Sequence, residues 1–320
     1  MTQAENVKWD EQVLPFELRN SDIRGRVVRL DKTVNDILAQ HSYPAKVESL
    51  ISEMVIITAL LGSMVEPRWK LSLQVQTDGP VRMIATDYYA AGQDGGAAKI
   101  RAYTSYDADR LTEGAPFEQL GQGYFAVLVD QGEGTKPYQA LSALTGSSIA
   151  EAAEGYFQSS EQIDTKLLVE HGETYLPNEQ SHWRAAGILL QHVPRSRKEM
   201  AKVEELDERE HARRKDEDWS RVNILLGTVE NLELLGPFVS PPDLIWRLFN
   251  EEAPAVYEPR KVQFGCTCSE ERVRNSLSIY GVKDIEKMTT EDGLVTADCQ
   301  FCNRHFALDP ASVGKDGSTA

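Results

Sequence analysis

The sequence predicts an α+β fold in three parts: an N-terminal core of mixed sheet and helix, a helical linker, and a small C-terminal module. Three observations carry that prediction. Over residues 1–194, β-branched and alternating segments interleave with helical stripes. From Pro194 the composition turns charge-rich and then amphipathic, as far as about Arg260. The last stretch holds every cysteine of the chain, as Cys266-Thr267-Cys268 and Cys299-Gln300-Phe301-Cys302. The expected divisions are a core at 1–194, a linker at 195–260, a module at 261–310 and a flexible tail at 311–320.

The core begins with a short strand at Arg26–Leu30, where Val27 and Val28 supply β-branched bulk. Asp31 then caps a helix through Val34, Ile37 and Leu38. After Tyr43-Pro44, Val47, Leu50, Ile51, Met54, Val55, Thr58 and Leu61 recur at three-and-four spacing, which predicts one amphipathic helix with a core-facing stripe. Leu71, Leu73 and Val75 alternate with polar residues, and Asp78-Gly79-Pro80 turns the chain into a second strand at Val81–Thr86.

A glycine-rich loop at Gly92–Gly96 precedes a strand at Ala97–Ser105. No helix start and no Gly-Lys-Ser/Thr follow that loop, so it is not a phosphate cradle. Gly121-Gln122-Gly123 likewise leads into a strand, Tyr124–Val129, and is not a dinucleotide fingerprint. Tyr138–Leu144 reads as a strand, and Ser148–Phe157 as a helix with Ile149, Ala152, Ala153, Tyr156 and Phe157 on its apolar face. Ser160-Glu161-Gln162 reads as a helix-end feature, and Lys166–Glu170 and Gly187–Val193 as strands. His41, His171, His182 and His192 are scattered, and no nucleophile lies near a placed histidine. The core carries no catalytic machinery, and the expectation is that the chain is not an enzyme.

In the linker, Lys198–Asp218 predicts a solvated helix with Met200, Val203 and Leu206 as its only apolar track. Val222, Leu225, Leu226, Val229, Leu232 and Leu235 form a continuous amphipathic stripe that Gly236-Pro237 ends. Ser240-Pro241-Pro242-Asp243 starts a further helix rich in apolar residues, from Leu244 and Ile245 to Trp246, Leu248 and Phe249. Glu251–Arg260 reads as a connector.

At 320 residues and 41% hydrophobic content the chain has ample material for packed cores. A net charge of −16 argues against a nucleic-acid backbone as partner, because phosphate binding needs clustered cations. The longest apolar run, Met54–Met64, is far short of the ~18 residues of a membrane span. Met1–Asp10 has no signal-peptide core, so a cytoplasmic chain with no membrane partner is expected.

The cysteines carry the chemistry. A C-x-C pair and a C-x-x-C pair offer four soft ligands, which suit a tetrahedral zinc ion at about 2.3 Å from each sulfur. Disulfides are the weaker reading in a chain without a secretory signal. One zinc per reduced chain, on Cys266, Cys268, Cys299 and Cys302, is the expectation. Lys261, Arg272, Arg274 and Arg304 lie nearby in sequence and offset the charge of a zinc tetrathiolate. His305 is spaced to replace a lost ligand, but four sulfurs complete the tetrahedron and a structural role fits it better. On oxidation, loop closure favours bridges within each pair, Cys266 with Cys268 and Cys299 with Cys302. The C-x-C bridge is the strained one.

Phe264-Gly265-Cys266-Thr267-Cys268-Ser269 with Glu271-Arg272-Val273, then Glu291-Asp292-Gly293 and Cys299–Asn303, resembles the zinc module of the redox-regulated heat-shock protein 33 chaperones. The resemblance extends through Arg24-Gly25-Arg26, Asp78-Gly79-Pro80, Gly123-Tyr124-Phe125, Tyr156-Phe157 with Ser160-Glu161-Gln162, and Ile188-Leu189-Leu190-Gln191, in that order. The chain departs from the family pattern at Ala185-Ala186-Gly187 and in its strongly charged linker. The resemblance implies an ATP-independent holdase that binds unfolding client proteins and forms a homodimer when activated. It also implies that thiol oxidation releases the zinc and exposes apolar surface. Two other readings compete from the residues alone: a constitutive zinc-stapled binding protein for RNA or protein, and a dithiol enzyme built on Cys299 and Cys302. Acidic composition weakens RNA binding, and four cysteines suited to one metal weaken the enzyme.

Overall fold

The structure, a computed structural model, describes residues 9–65, 69–92, 95–132, 134–174, 182–192 and 208–313. The chain divides into two compact units: residues up to Leu38 with Tyr43–Phe264, and Ala39–Ser42 with the residues from Gly265 onward. It is a mixed α+β protein, with eight α-helices among the described residues.

The first unit is built on one 11-stranded sheet. Its strands are β1 (Gln12–Leu18), β2 (Ile23–Leu30), β3 (Lys70–Thr77), β4 (Val81–Tyr89), β5 (Ala98–Tyr106), β6 (Gly123–Asp130), β7 (Tyr138–Ala143), β8 (Thr165–Thr174), β9 (His182–His192), β10 (Pro254–Val256) and β11 (Arg260–Phe264). The order is β7-β6-β3-β4-β5-β11-β1-β2-β9-β8, with β10 also paired to β1. Most neighbours are antiparallel, as the hairpin turns require. β11 runs parallel to β5, pairing Val262 with Ala98, and antiparallel to β1, pairing Gln12 with Lys261. That one late strand joins the two halves of the sheet.

The stripe expected at Val47–Leu61 is α2 (Ala45–Gly62), but it is not amphipathic in the finished fold. Every residue from Leu50 to Gly62 is buried, Ser52, Glu53 and Thr58 included. Strands of both sheet halves pack on it, so the core-facing stripe widens to the whole circumference of the helix from Leu50 onward. Its polar groups are satisfied locally. Thr58 Oγ1 donates to the Met54 carbonyl at 2.7 Å, and Glu53 Oε1 accepts from the Ala150 N–H at 2.9 Å, at the start of α3 (Ile149–Tyr156). Ser148 caps α3 through its side chain, which accepts from the Glu151 N–H. α1 (Lys32–Leu38) completes this layer.

The opposite face of β1, β2 and β9 builds a second apolar core. Leu14, Phe16, Leu18, Ile23, Val27, Ala186, Ile188 and Leu190 are buried there. Three helices cover them: α4 (Glu208–Leu226) with Val222 and Leu226, α5 (Asn231–Leu235) with Leu234, and α6 (Pro241–Phe249) with Leu244, Ile245 and Phe249. Phe16 and Phe249 stack with ring centroids 6.2 Å apart. Gly25 is required here, since a Cβ would stand 2.0 Å from the Phe16 ring.

Three readings are corrected. The continuous stripe through Leu235 is two helices, because the ladder tightens and ends after the Gly227 N–H bonds the Asn223 carbonyl, and Glu230 restarts it with a reciprocal capping box to Glu233. The supposed connector at 251–260 contains β10 and the start of β11. β1 is a further strand that was not anticipated, since Pro15 argues against a central strand. Pro15 falls between the β11 pairing at Gln12–Val13 and the β10 pairing at Phe16–Leu18, where no ladder bond needs its missing N–H, and its carbonyl accepts from the Tyr257 N–H at 2.9 Å. Within the charged segment, Arg213, Lys215, Asp216 and Glu217 are exposed as expected of a solvated helix. Met200, Val203 and Leu206 lie outside the described residues.

The second unit holds α7 (Glu270–Leu277), α8 (Val282–Met288) and a hairpin of β12 (Val295–Asp298) with β13 (His305–Leu308). Its buried apolar side chains, among the described residues, are Ile285, Val295, Phe306 and Leu308. Four such side chains are a small core for a unit of this length.

Candidate metal centre

The hairpin of the second unit presents one pair of thiols. Between β12 and β13 the chain makes a tight knuckle: the Asn303 N–H donates to the Cys299 carbonyl at 2.7 Å and the Cys302 N–H to the same carbonyl at 3.3 Å. Asn303 takes φ 52°, a left-handed position that asparagine tolerates better than most residues. The Cys299 N–H donates to the Arg304 carbonyl at 3.0 Å and closes the loop.

The other pair leads into a helix. Ser269, directly after Cys268, caps α7 through its Oγ, which accepts from the Arg272 N–H at 3.2 Å. Arg272 in turn donates to Thr267 Oγ1 at 2.6 Å, which holds the residue between the two thiols.

These two supports bring the four sulfurs together. All four lie within 4.8 Å of one another, with Cys266 Sγ 3.6 Å from Cys299 Sγ and Cys268 Sγ 3.4 Å from Cys302 Sγ. Sulfurs each about 2.3 Å from one tetrahedral centre stand about 3.8 Å apart, so the cluster has the dimensions of a zinc tetrathiolate. The separations are well beyond a disulfide bond, and the cysteines are free thiols. Burial pushes the Cys268 thiol far up, and the adjoining Cys302 and Cys266 sulfurs add to it; burial raises Cys302 as well. Thiols packed this way resist ionising together unless a cation sits among them, which is the condition a divalent metal meets.

The other predicted residues fall around the cluster. Arg272 braces Thr267, Arg274 pairs with Glu270 one turn earlier in α7, and Arg304 lies over the Phe306 ring at 5.2 Å. Lys261 belongs to β11 of the first unit. His305 is not among the clustered ligands; its Nδ1 stands 2.7 Å from Asp298 Oδ1 across the hairpin. His171 is half-buried beside Trp183, and His192 ends β9.

Sequence reasoning missed how the second apolar core is fastened. Arg29, 2% exposed, donates to the carbonyls of Glu233, Leu234 and Val239, each at 2.6 Å. Arg184 donates to the Leu235 carbonyl at 3.1 Å while paired with Asp10 and Asp31, each at 2.7 Å. The only sequence signal was an arginine at the position where β2 alternation demands a buried residue.

A central helix within a large sheet, helices over its outer face and a terminal four-thiol unit define a protein with a thiol-ligand metal centre on an α+β scaffold. The family described as Hsp33 protein matches residues 11–309, and the chain belongs to that family. A 33 kDa chaperonin of Caulobacter vibrioides is 32% identical over 309 residues, covering 94% of this chain and 95% of that one. A 33 kDa chaperonin of Escherichia coli is 28% identical over 313 residues, covering 97% of each. The crystal structure of the 33 kDa chaperonin (heat shock protein 33 homolog) from Thermotoga maritima superposes with a TM-score of 0.73 at 20% identity, over 94% of this chain and 96% of that one, and so shares the fold. No helix among the described residues is long and apolar enough to cross a membrane.

Proposed function

We propose that this chain is a redox-regulated, ATP-independent holdase chaperone that binds unfolding client proteins when its four thiols are oxidised. The single observation that carries the reading is the convergence of those four sulfurs within 4.8 Å in a unit with so small an apolar core. Cys266, Cys268, Cys299 and Cys302 would hold one zinc ion, whose charge keeps the thiols as thiolates and whose bonds replace a missing core.

The working division is a core at 1–194, a helical linker at 195–260, a switch module at 261–310 and a tail beyond. Two thiols of a pair and one peroxide give one disulfide and two waters, with two electrons leaving each pair. Cysteines joined as Cys266–Cys268 and Cys299–Cys302 no longer serve as ligands, and Ile285, Val295, Phe306 and Leu308 are too few to hold the module alone. β11 runs directly into Gly265-Cys266, so disorder in the module reaches the strand that joins the sheet halves. Helices α4 to α6 then release the face formed by Leu14, Phe16, Leu18, Ile188 and Leu190, which offers apolar surface to a client. No catalytic step is assigned. The chain works in the cytoplasm without nucleic acid or membrane, and the activated form is a homodimer.

The test is aggregation suppression by reduced and oxidised protein, with zinc release measured in parallel. Holding activity that rises with zinc release supports the switch. Equal activity in both states, with zinc retained under mild peroxide, returns the module to a constitutive staple.

A further inference from the structure

Tyr156, Phe157 and Glu161 take no part in the switch, yet they line a concave site in the first unit. Phe157–Glu161 continue α3 as one wide helical turn, which ends where Gln162 takes φ 55° and the Ile163 N–H donates to the Phe157 carbonyl at 3.2 Å. Wide turns of this kind recur at functional sites. Here the turn carries Glu161 to a cavity of about 290 Å³, walled by Leu61, Leu71, Val127 and Phe157, with Met64 and Trp69 also lining it.

The polar end of the cavity is organised. Glu161 Oε1 accepts from the Tyr156 hydroxyl at 2.6 Å and from the Tyr138 hydroxyl at 2.7 Å. Burial and then the Glu161 hydrogen bond hold the Tyr156 hydroxyl far above the ordinary phenol range, so it stays a donor. One carboxylate oxygen is thereby fixed in place, and Oε2 has no hydrogen-bond partner among the described residues. Tying β7 to the turn after α3 needs only Oε1. An exposed carboxylate oxygen beside an aliphatic wall is left over, and that is the complement of a side chain with an apolar stem and a cationic head.

We propose that this cavity is a client subsite that takes a lysine or arginine side chain flanked by apolar residues in an extended, unfolding segment. The proposal deepens the chaperone reading and rests on it. The stem lies along Leu61, Leu71 and Phe157, the head meets Glu161, and the apolar neighbours rest on Met64 and Trp69. Such a subsite selects basic-apolar segments, which lie at chain positions where a folded client would hide the apolar part and solvate the charge.

The experiment uses the full chain, reduced and oxidised, and labelled peptides alternating leucine with arginine, glutamine or glutamate, read by fluorescence anisotropy. Wild type binds the arginine peptide about tenfold tighter than the glutamine peptide, the size of one charge-assisted hydrogen bond. Glu161→Gln, which can still accept from both tyrosines, abolishes the preference. Asp109→Asn removes the same charge from an exposed turn elsewhere in the unit and leaves it intact. Met64→Trp fills the mouth and weakens the arginine and glutamine peptides together, a result that does not depend on how Glu161→Gln folds. A preference that survives Glu161→Gln, that Asp109→Asn lowers equally, or that Met64→Trp leaves untouched overturns the subsite. Aggregation suppression on the same oxidised samples separates the two ideas. Selective peptide binding with no suppression by wild type removes the chaperone reading and leaves a cation-selective site.

Discussion

The Arg29 guanidinium donates to the Leu234 carbonyl at 2.6 Å, from a strand of the sheet to the C-terminal turn of a helix 205 residues later. The same group reaches Glu233 and Val239, so one buried cation gathers two carbonyls from the last turn of α5 and one from the loop before α6. A cation at this end also complements the helix dipole. Burial, the largest cause, draws Arg29 down to about 10, with Asp10 acting against it and Arg184 with it. Gly236 passes so close that a Cβ would stand 2.9 Å from Arg29 Nη1, and its φ of 75° suits glycine alone. In the proposed mechanism this contact must break before the second apolar core opens.

Arg29→Met should therefore loosen α5 without unfolding the sheet, since methionine fills much of the same volume. Losing charged donors to buried carbonyls costs about 2 kcal/mol, or roughly a thirtyfold larger open population at 1.4 kcal/mol per decade. Amide exchange across 208–249 in the reduced protein should accelerate, and reduced protein should gain part of the holding activity. Unchanged exchange there would show that apolar packing alone fastens the helices.

Glu53 offers a pH signature of the first core. Burial raises its carboxyl to about 7, while hydrogen bonds from the Ala150 and Ile149 N–H groups pull the other way. A raised carboxyl pKa means the folded state holds a proton that the unfolded state has already lost. The associated stability is present below about 4.5 and is lost as pH rises through about 7. Glu53→Gln keeps an acceptor for Ala150 and removes the ionisation. In urea unfolding it should be more stable than wild type at pH 8, by about 3 kcal/mol at most, with the gap closing toward pH 5. Parallel pH profiles for the two proteins would refute the assignment.

Cys268→Ser should lower zinc content below one per chain and disorder the module while sparing the sheet. Metal analysis reads the first, and the dispersion of Ile285, Val295, Phe306 and Leu308 methyl and ring signals in NMR spectra reads the second. After peroxide, peptide mapping should find Cys266 joined to Cys268 and Cys299 to Cys302. Sulfurs of different pairs stand 3.6 and 3.4 Å apart, and those separations are edges of the thiol tetrahedron. Bridging follows release of that geometry, when loop closure favours near neighbours. Predominant cross-pair bridges would mean that oxidation captures the clustered form.

What the sequence revealed follows its local periods. Alternation located β3 and β4, the three-and-four spacing located α2 and α3, and the two cysteine pairs located the cluster of four thiols. Relations that depend on distant partners were hidden. Nothing local says that Ser52, Glu53 and Thr58 will be enclosed, because the enclosing strands come from both halves of the sheet. Pro15 disguised β1, and Arg260–Phe264 gave no sign of entering the sheet between β5 and β1. Arg29 looked like an ordinary charge on a short strand, since its three acceptors lie over 200 residues away.

The position of β11 decides how the clasp is tested. A chain cut at Arg260 would lose the strand that joins the sheet halves, along with the pairs Val262–Ala98 and Phe264–Ile100. It would also lose the fully buried Val262. Any holding activity it showed would then come from a damaged sheet. A chain ending at Phe264 keeps the whole first unit and removes all four thiols. If the module restrains α4 to α6 through this strand, residues 1–264 should suppress client aggregation under reducing conditions and ignore peroxide. The restraint left to those helices is the apolar core around Phe16 and Phe249, the Arg29 carbonyl contacts and the Arg221–Glu252 pair at 2.7 Å. These amount to a fraction of a global stability of roughly 5–15 kcal/mol, so partial opening is within thermal reach. A folded, soluble fragment with no holding activity, beside active oxidised full-length protein, would place client binding in the oxidised module itself. Release of the sheet face would then not be the activating event.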